Sequence, residues 1–224
     1  MDQLRKIVAS IKKTNSTLLI IWAALLIAAL IAFVLARWSL AFITMMTLVL
    51  SLVPLILASR LSLVLPVPFL LATTIFVFAS IFLGEALDFY ERLWWWDLAL
   101  HGSSAIGFGL IGFLFIFMLF EGDRFAAPPS AIAFITFSVA ITIGSAWEIF
   151  EFLADKTLGA NMQKSGLNDT MGDLMINAAG SAVASFSGYL YLVRSDTGPL
   201  GRWISQFVAL NKRLYQRSKD RFRR

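Results

Sequence analysis

Six apolar stretches, each about as long as a bilayer is thick, leave this chain little choice of fold. They run roughly over Leu18–Ala36, Ala41–Ala58, Val67–Tyr90, Leu98–Phe120, Ala131–Leu153 and Met171–Val193. About 18 or more consecutive apolar residues is the signature of a transmembrane helix. Lipid offers a backbone no hydrogen-bond partners, so a spanning segment must be a helix or part of a closed barrel. The strict alternation of a barrel strand is missing from these runs. The expectation is an all-α, polytopic integral membrane protein: a six-transmembrane-helix bundle over residues 18–193. Little of the 224 residues remains for a soluble domain.

Charge sets the orientation. Fifteen of the nineteen lysines and arginines fall before the first run, after the second and fourth, or after the sixth. Arg37, Arg92, Lys156 and Lys164 lie on the other side. By the positive-inside rule both termini are cytoplasmic. The net charge of +5 is then mostly an orientation signal, and nucleic acid is not expected as a partner.

The flanks read as membrane-surface elements. Leu4, Ile7, Val8 and Ile11 follow helical spacing, so residues 1–17 are expected to form an amphipathic cytoplasmic leader. The first run is too long for a signal-peptide core and is read as a retained span. In the basic tail, residues 194–224, Trp203, Phe207, Leu210 and Leu214 form an apolar stripe among bases. This suits an interfacial helix attracted to anionic lipid. Small residues recur at helical spacing in the fourth run (Ala105, Gly109, Gly112) and the sixth (Gly180, Ala184, Gly188), where helices can approach closely. The chain has no cysteine, hence no thiolate chemistry.

Nine of the fourteen acids cluster at the outer ends of runs three to six: Glu85, Asp88, Glu91, Asp97, Glu148, Glu151, Asp155, Asp169 and Asp173. The single histidine, His101, lies among them. Carboxylates near membrane depth are costly and mark a functional site. Asp97 and His101 share a helix face at i, i+4, Glu148, Glu151 and Asp155 share another, and Asp169, Asp173 and Asn177 form a third stripe. Hard cations need several oxygens, and manganese, iron or zinc sites add imidazole. A divalent metal cation is therefore the expected cofactor, with Glu148, Glu151, Asp155, Asp169, Asp173 and His101 as ligands. His101, Asp97 and Glu85 are the expected catalytic groups. Asp88, Trp96, Trp147, Gln163 and Asn177 are expected to contact substrate. Two other readings stay open: a hydrogen-bonded polar plug, and a pathway for protons or ions. Asp97, His101 and Ser104 also invite a Ser-His-Asp reading, but one helix does not supply triad geometry and no nucleophile elbow is present.

The segments Leu83-Gly-Glu-Ala-Leu-Asp-Phe-Tyr-Glu, Trp96-Asp-Leu-Ala-Leu-His-Gly, Ala146-Trp-Glu-Ile-Phe-Glu-Phe and Gly166-Leu-Asn-Asp-Thr-Met-Gly-Asp-Leu-Met-Ile-Asn-Ala-Ala-Gly together resemble the YjdF-like family of uncharacterised bacterial inner-membrane proteins. The last segment, with Gln163 before it, is also similar to the VanZ-like group. The resemblance implies a multi-pass protein of the bacterial inner membrane whose acids and His101 share a site. Neither group supplies a reaction. The functional expectation is a metal-dependent membrane hydrolase or transferase acting on a lipid or lipid-linked substrate at the outer leaflet. The alternatives are a cation- or proton-coupled transporter and a non-catalytic envelope factor.

Overall fold

A computed structural model describes residues 16–120, 127–164, 166–194 and 198–212. Residues 1–15 of the expected leader, the inner loop around Arg124 and the end of the tail lie outside the described residues, while Ser16 and Thr17 open the first helix. Every described element is helical: α1 (Ser16–Val34), α2 (Trp38–Arg60), α3 (Val67–Val77) continued by a π-helical stretch (Phe78–Ala86), α4 (Phe89–Arg92), α5 (Trp96–Leu119), α6 (Pro129–Leu158), α7 (Leu167–Val193) and α8 (Gly198–Leu210). The chain divides into two compact units between Trp96 and Asp97, in the first turn of α5.

In the first unit α1 packs on α2, and α2 on α3 and the π-helical stretch. Leu18, Trp22, Leu25, Ala29 and Ala32 form the one buried stripe of α1, while apolar residues such as Ile20 and Val34 on its other faces are exposed. Exposed apolar faces are what a helix presents to lipid. The buried stripe of α2 carries hydroxyls. Thr44, Thr47 and Ser51 donate to the carbonyls of Leu40, Ile43 and Leu48 within the same helix, at 2.6, 2.8 and 2.7 Å. Small polar residues thereby enter an apolar seam without an orphaned donor.

The third run was expected to stay helical to Tyr90. The span instead ends at Ala86, and Asp88 adopts a left-handed conformation (φ 56°) before the single turn of α4. Gly84 permits this fold-back: its bare Cα lies against the Tyr90 ring, where any Cβ would collide. The Tyr90 hydroxyl lies 3.1 Å from Ser80 Oγ.

The second unit is built on helix contacts that only small residues allow. A Cβ on Gly109 of α5 would sit 2.5 Å from the Cβ of Ala184 on α7. One on Gly180 would come 2.7 Å from the Gly102 carbonyl oxygen. The two small-residue stripes thus pack α5 on α7 within one chain. Below this seam Tyr191 packs edge-on against the stacked rings of Phe113 and Phe117, in a cluster with Ile132 and Ile204. Ser185 of α7 donates to the Ala133 carbonyl of α6 at 2.7 Å.

Five helical segments are long and apolar enough to cross a membrane: Ser16–Val34, Trp38–Arg60, Val67–Ala86, Trp96–Leu119 and Pro129–Leu158. The sixth expected run forms one continuous 27-residue helix, α7, but is not among them. Its buried face carries a polar file: Asp173, Asn177, Ser181 and Ser185 recur every four residues. The apolar stripe expected in the tail also shifts. In α8 the buried positions are Gly201 and Ile204, while Trp203 and Phe207 are half-buried and Leu210 is exposed.

Candidate functional site

Three helices of the second unit bring the site together. The first turn of α5 places Asp97 and His101 one turn apart on one face. Far along α6, Glu148 and Glu151 are both buried. Near the start of α7, Asp173 and Asn177 are 1% exposed, again one turn apart. Glycines allow the close fit. Gly144 of α6 leaves room for Asn177, since a Cβ there would lie 2.8 Å from Nδ2. Gly180 lets α7 approach α5 two turns below Asp173.

His101 is the centre of the cluster. Its Nε2 lies 3.6 Å from Asp97 Oδ1 and 4.0 Å from Asp173 Oδ2. Its Nδ1 lies 3.5 Å from Glu148 Oε1 and 3.3 Å from Asn177 Nδ2. The nitrogen-to-carboxylate distances exceed good hydrogen bonds. Among the described residues both oxygens of Glu148, Oδ2 of Asp173 and Oδ1 of Asn177 are buried without a hydrogen-bond partner. An orphaned buried carboxylate oxygen is costly. Glu151 differs, because Oε1 accepts from Trp147 Nε1 at 2.7 Å. Asp97 is the part-exposed member, its side chain 30% exposed. Asp169 lies close enough for its charge to repel Asp97, Glu148, Glu151 and Asp173, while Lys164 attracts Asp97.

The remaining site candidates have other partners. Asp155 accepts two loop hydrogen bonds, from the backbone N–H groups of Met162 (2.5 Å) and Gln163 (2.8 Å). Asp169 accepts from the Lys164 backbone at 3.1 Å. Gln163 donates to Thr170 Oγ1 at 2.7 Å. These three residues tie down the loop between α6 and α7. Trp147 is half exposed and reaches the site through Glu151. Glu85, Asp88 and Trp96 belong to the first unit. There Glu85 is exposed, Asp88 Oδ2 lies 3.7 Å from Arg92 Nη2, and the Trp96 ring packs edge-on against Phe89. Ser104 donates to the His101 carbonyl at 2.9 Å, a local helix bond.

Gly144, absent from the candidates read from the sequence, shapes the space for Asn177. Its signal is a small residue one helical turn before Glu148. The polar stripe of α7, expected to end at Asn177, continues by the same four-residue step to Ser181 and Ser185.

Residues 16–194 match the family model described as "Predicted membrane protein (DUF2238)". The chain belongs to this family. A DUF2238 model covering most of the chain accords with the all-helical, multi-pass architecture. The chain is also similar to an uncharacterised protein of Thermotoga maritima, 33% identical over 104 residues. That match covers 46% of this chain and 53% of the relative, so the chain spans about half the length of the curated relative it matches. No solved structure matches the chain.

Proposed function

We propose that Asp97, His101, Glu148, Glu151, Asp173 and Asn177 form the divalent-metal site of a membrane enzyme acting on a lipid or lipid-linked substrate at the outer leaflet. The observation that carries this reading is Glu148. It is 4% exposed, both its oxygens lack a partner among the described residues, and one points at His101. A cation between the carboxylates removes their repulsion and satisfies the orphaned oxygens together. An imidazole beside several carboxylates suits zinc, manganese or iron. Such an ion polarises a substrate oxygen or activates a water. The exposed side of Asp97 gives a polar headgroup access, and the apolar faces of Phe150 and Trp147 are suited to acyl chains.

In this reading α7 is a sixth span, carried across by its packing on α5 and α6. Both termini are then cytoplasmic and the site faces outward, a topology that the distribution of bases supports. The resemblance to YjdF-like proteins supports a place in the bacterial inner membrane. The Gln163-to-Asn177 segment extends the kinship towards the VanZ-like group. Anionic lipid is the partner of the basic tail.

Elemental analysis of purified full-length protein tests the metal. At least one zinc, manganese or iron per chain is expected, with lipid extract altered only by the metal-loaded protein. Protein that carries no divalent ion and gains no thermal stability from zinc, manganese, magnesium or calcium would remove the reading. Proton-coupled transport is a second reading, favoured by the buried file Asp173, Asn177, Ser181 and Ser185 running down α7. Metal-free protein that moves protons in liposomes would put it first.

A further inference from the structure

His101 is shared by two separate groups of ligand atoms. Asp97, His101 and Asp173 form one, and His101, Glu148 and Glu151 the other. In each, one atom per residue lies within 4.8 Å of the others. The groups meet opposite edges of the same ring. Asp97 and Asp173 approach Nε2, at 3.6 and 4.0 Å, and Glu148 approaches Nδ1, at 3.5 Å. The lone pairs of the two ring nitrogens lie in the ring plane and diverge, so one ion cannot bind both.

Each side has one separation near metal-ligand spacing and one orphaned oxygen, though on the Nε2 side the orphaned Asp173 Oδ2 stands farther off, at 4.0 Å. Two ligand atoms bound at about 2.1 Å to one tetrahedral ion stand roughly 3.4 Å apart. The 3.5 and 3.6 Å separations are close to that spacing and longer than a good hydrogen bond. Each side also contributes a buried carboxylate oxygen without a partner among the described residues: Asp173 Oδ2 towards Nε2, and Glu148 Oε1 towards Nδ1.

We propose that His101 bridges two divalent cations, one held by Nε2 with Asp97 and Asp173, the other by Nδ1 with Glu148 and Glu151. The proposal rests on the metal reading above and adds a count and an arrangement to it. Two divalent ions offset most of the charge of four carboxylates and the imidazolate, leaving a net −1 beside the part-exposed Asp97, where one ion on a neutral ring would leave −2. Asn177 completes the Nδ1 side. Turning its amide exchanges nitrogen for oxygen and points the orphaned Oδ1 at that ion. With both ions in place the ring releases its N–H proton to solvent.

The test uses full-length protein in detergent, stripped with a chelator and titrated with Mn²⁺. Bound ion is counted by elemental analysis after desalting, and the spectrum followed by electron paramagnetic resonance. Wild type should take two equivalents per chain and show a spin-coupled signal. Asp173→Asn and Glu148→Gln should each keep one equivalent with an isolated-ion signal, and the double variant none. If Asp173→Asn does not fold, the half-exposed Asp97→Asn probes the same side, and Glu151→Gln serves likewise for Glu148→Gln. One equivalent in wild type, lost on changing either side, would overturn the two-ion arrangement and leave the metal reading standing. Two equivalents that survive every single substitution would overturn it as well. No bound ion at all would overturn both.

Discussion

Gly144 holds the Asn177 amide against its bare Cα, and through that contact places Asn177 Nδ2 3.3 Å from His101 Nδ1. A residue with no chemistry of its own thus decides where a candidate ligand sits. Gly144→Ala would put a Cβ 2.8 Å from the amide nitrogen. Overpacking of this kind costs about 1–3 kcal/mol. The expected outcome is a lower melting temperature in detergent together with weaker metal retention. A Gly144→Ala protein that binds metal like wild type would detach Asn177 from the site.

Glu148→Gln separates a binding site from a structural plug. Removing a repelled carboxylate should leave stability in chelator unchanged or raised, because binding groups are held in mutually unfavourable positions. Wild type should gain stability on adding metal, about 2.7 kcal/mol at a hundredfold excess over Kd. The variant should lose most of that gain. Melting curves with and without metal make the comparison. A variant that melts far below wild type in chelator would indicate a polar network that holds the unit together.

His101→Ala should insert and fold normally, since its nitrogen-to-carboxylate distances exceed good hydrogen bonds and the 3.3 Å contact with Asn177 is the one short polar contact of the ring among the described residues. It should fail to complement a deletion strain in whatever trait the wild-type protein restores. Full complementation by this variant would take the imidazole out of the function.

The α5–α7 seam predicts opposite signs for two similar substitutions. Gly180→Ala would place a Cβ 2.7 Å from the Gly102 carbonyl oxygen, a backbone atom that cannot move aside. It should destabilise by about 1–3 kcal/mol. Gly107→Ala meets nothing within 4 Å and should be neutral or stabilise by up to about 1 kcal/mol through helix propensity. Denaturation of the two variants side by side reads the difference.

Orientation has its own test. A reporter inserted at Asn161 should be active only outside the cytoplasm, and one fused after Arg224 only inside it. An Asn161 reporter active in the cytoplasm would invert the proposed topology and turn the acidic cluster inward.

Composition along the chain determined the helical class, because apolar runs of bilayer length admit few other structures. It also marked the acids and His101, since charges near membrane depth are too costly to be incidental. Helical spacing paired Asp97 with His101 and Asp173 with Asn177, as each pair is one turn apart on one helix. Spacing within a helix says nothing of rotation between helices, and that is where the tertiary structure decided. The Gly109–Ala184 and Gly180–Gly102 contacts set how α5 and α7 meet, and so which acids face His101. Glu148 turns inward with both oxygens unpartnered, while Asp155, seven residues later on nearly the same face, caps the loop through Met162 and Gln163. The two carboxylates look alike in sequence. Only the backbone N–H groups of a folded loop, brought within reach of one and not the other, tell them apart.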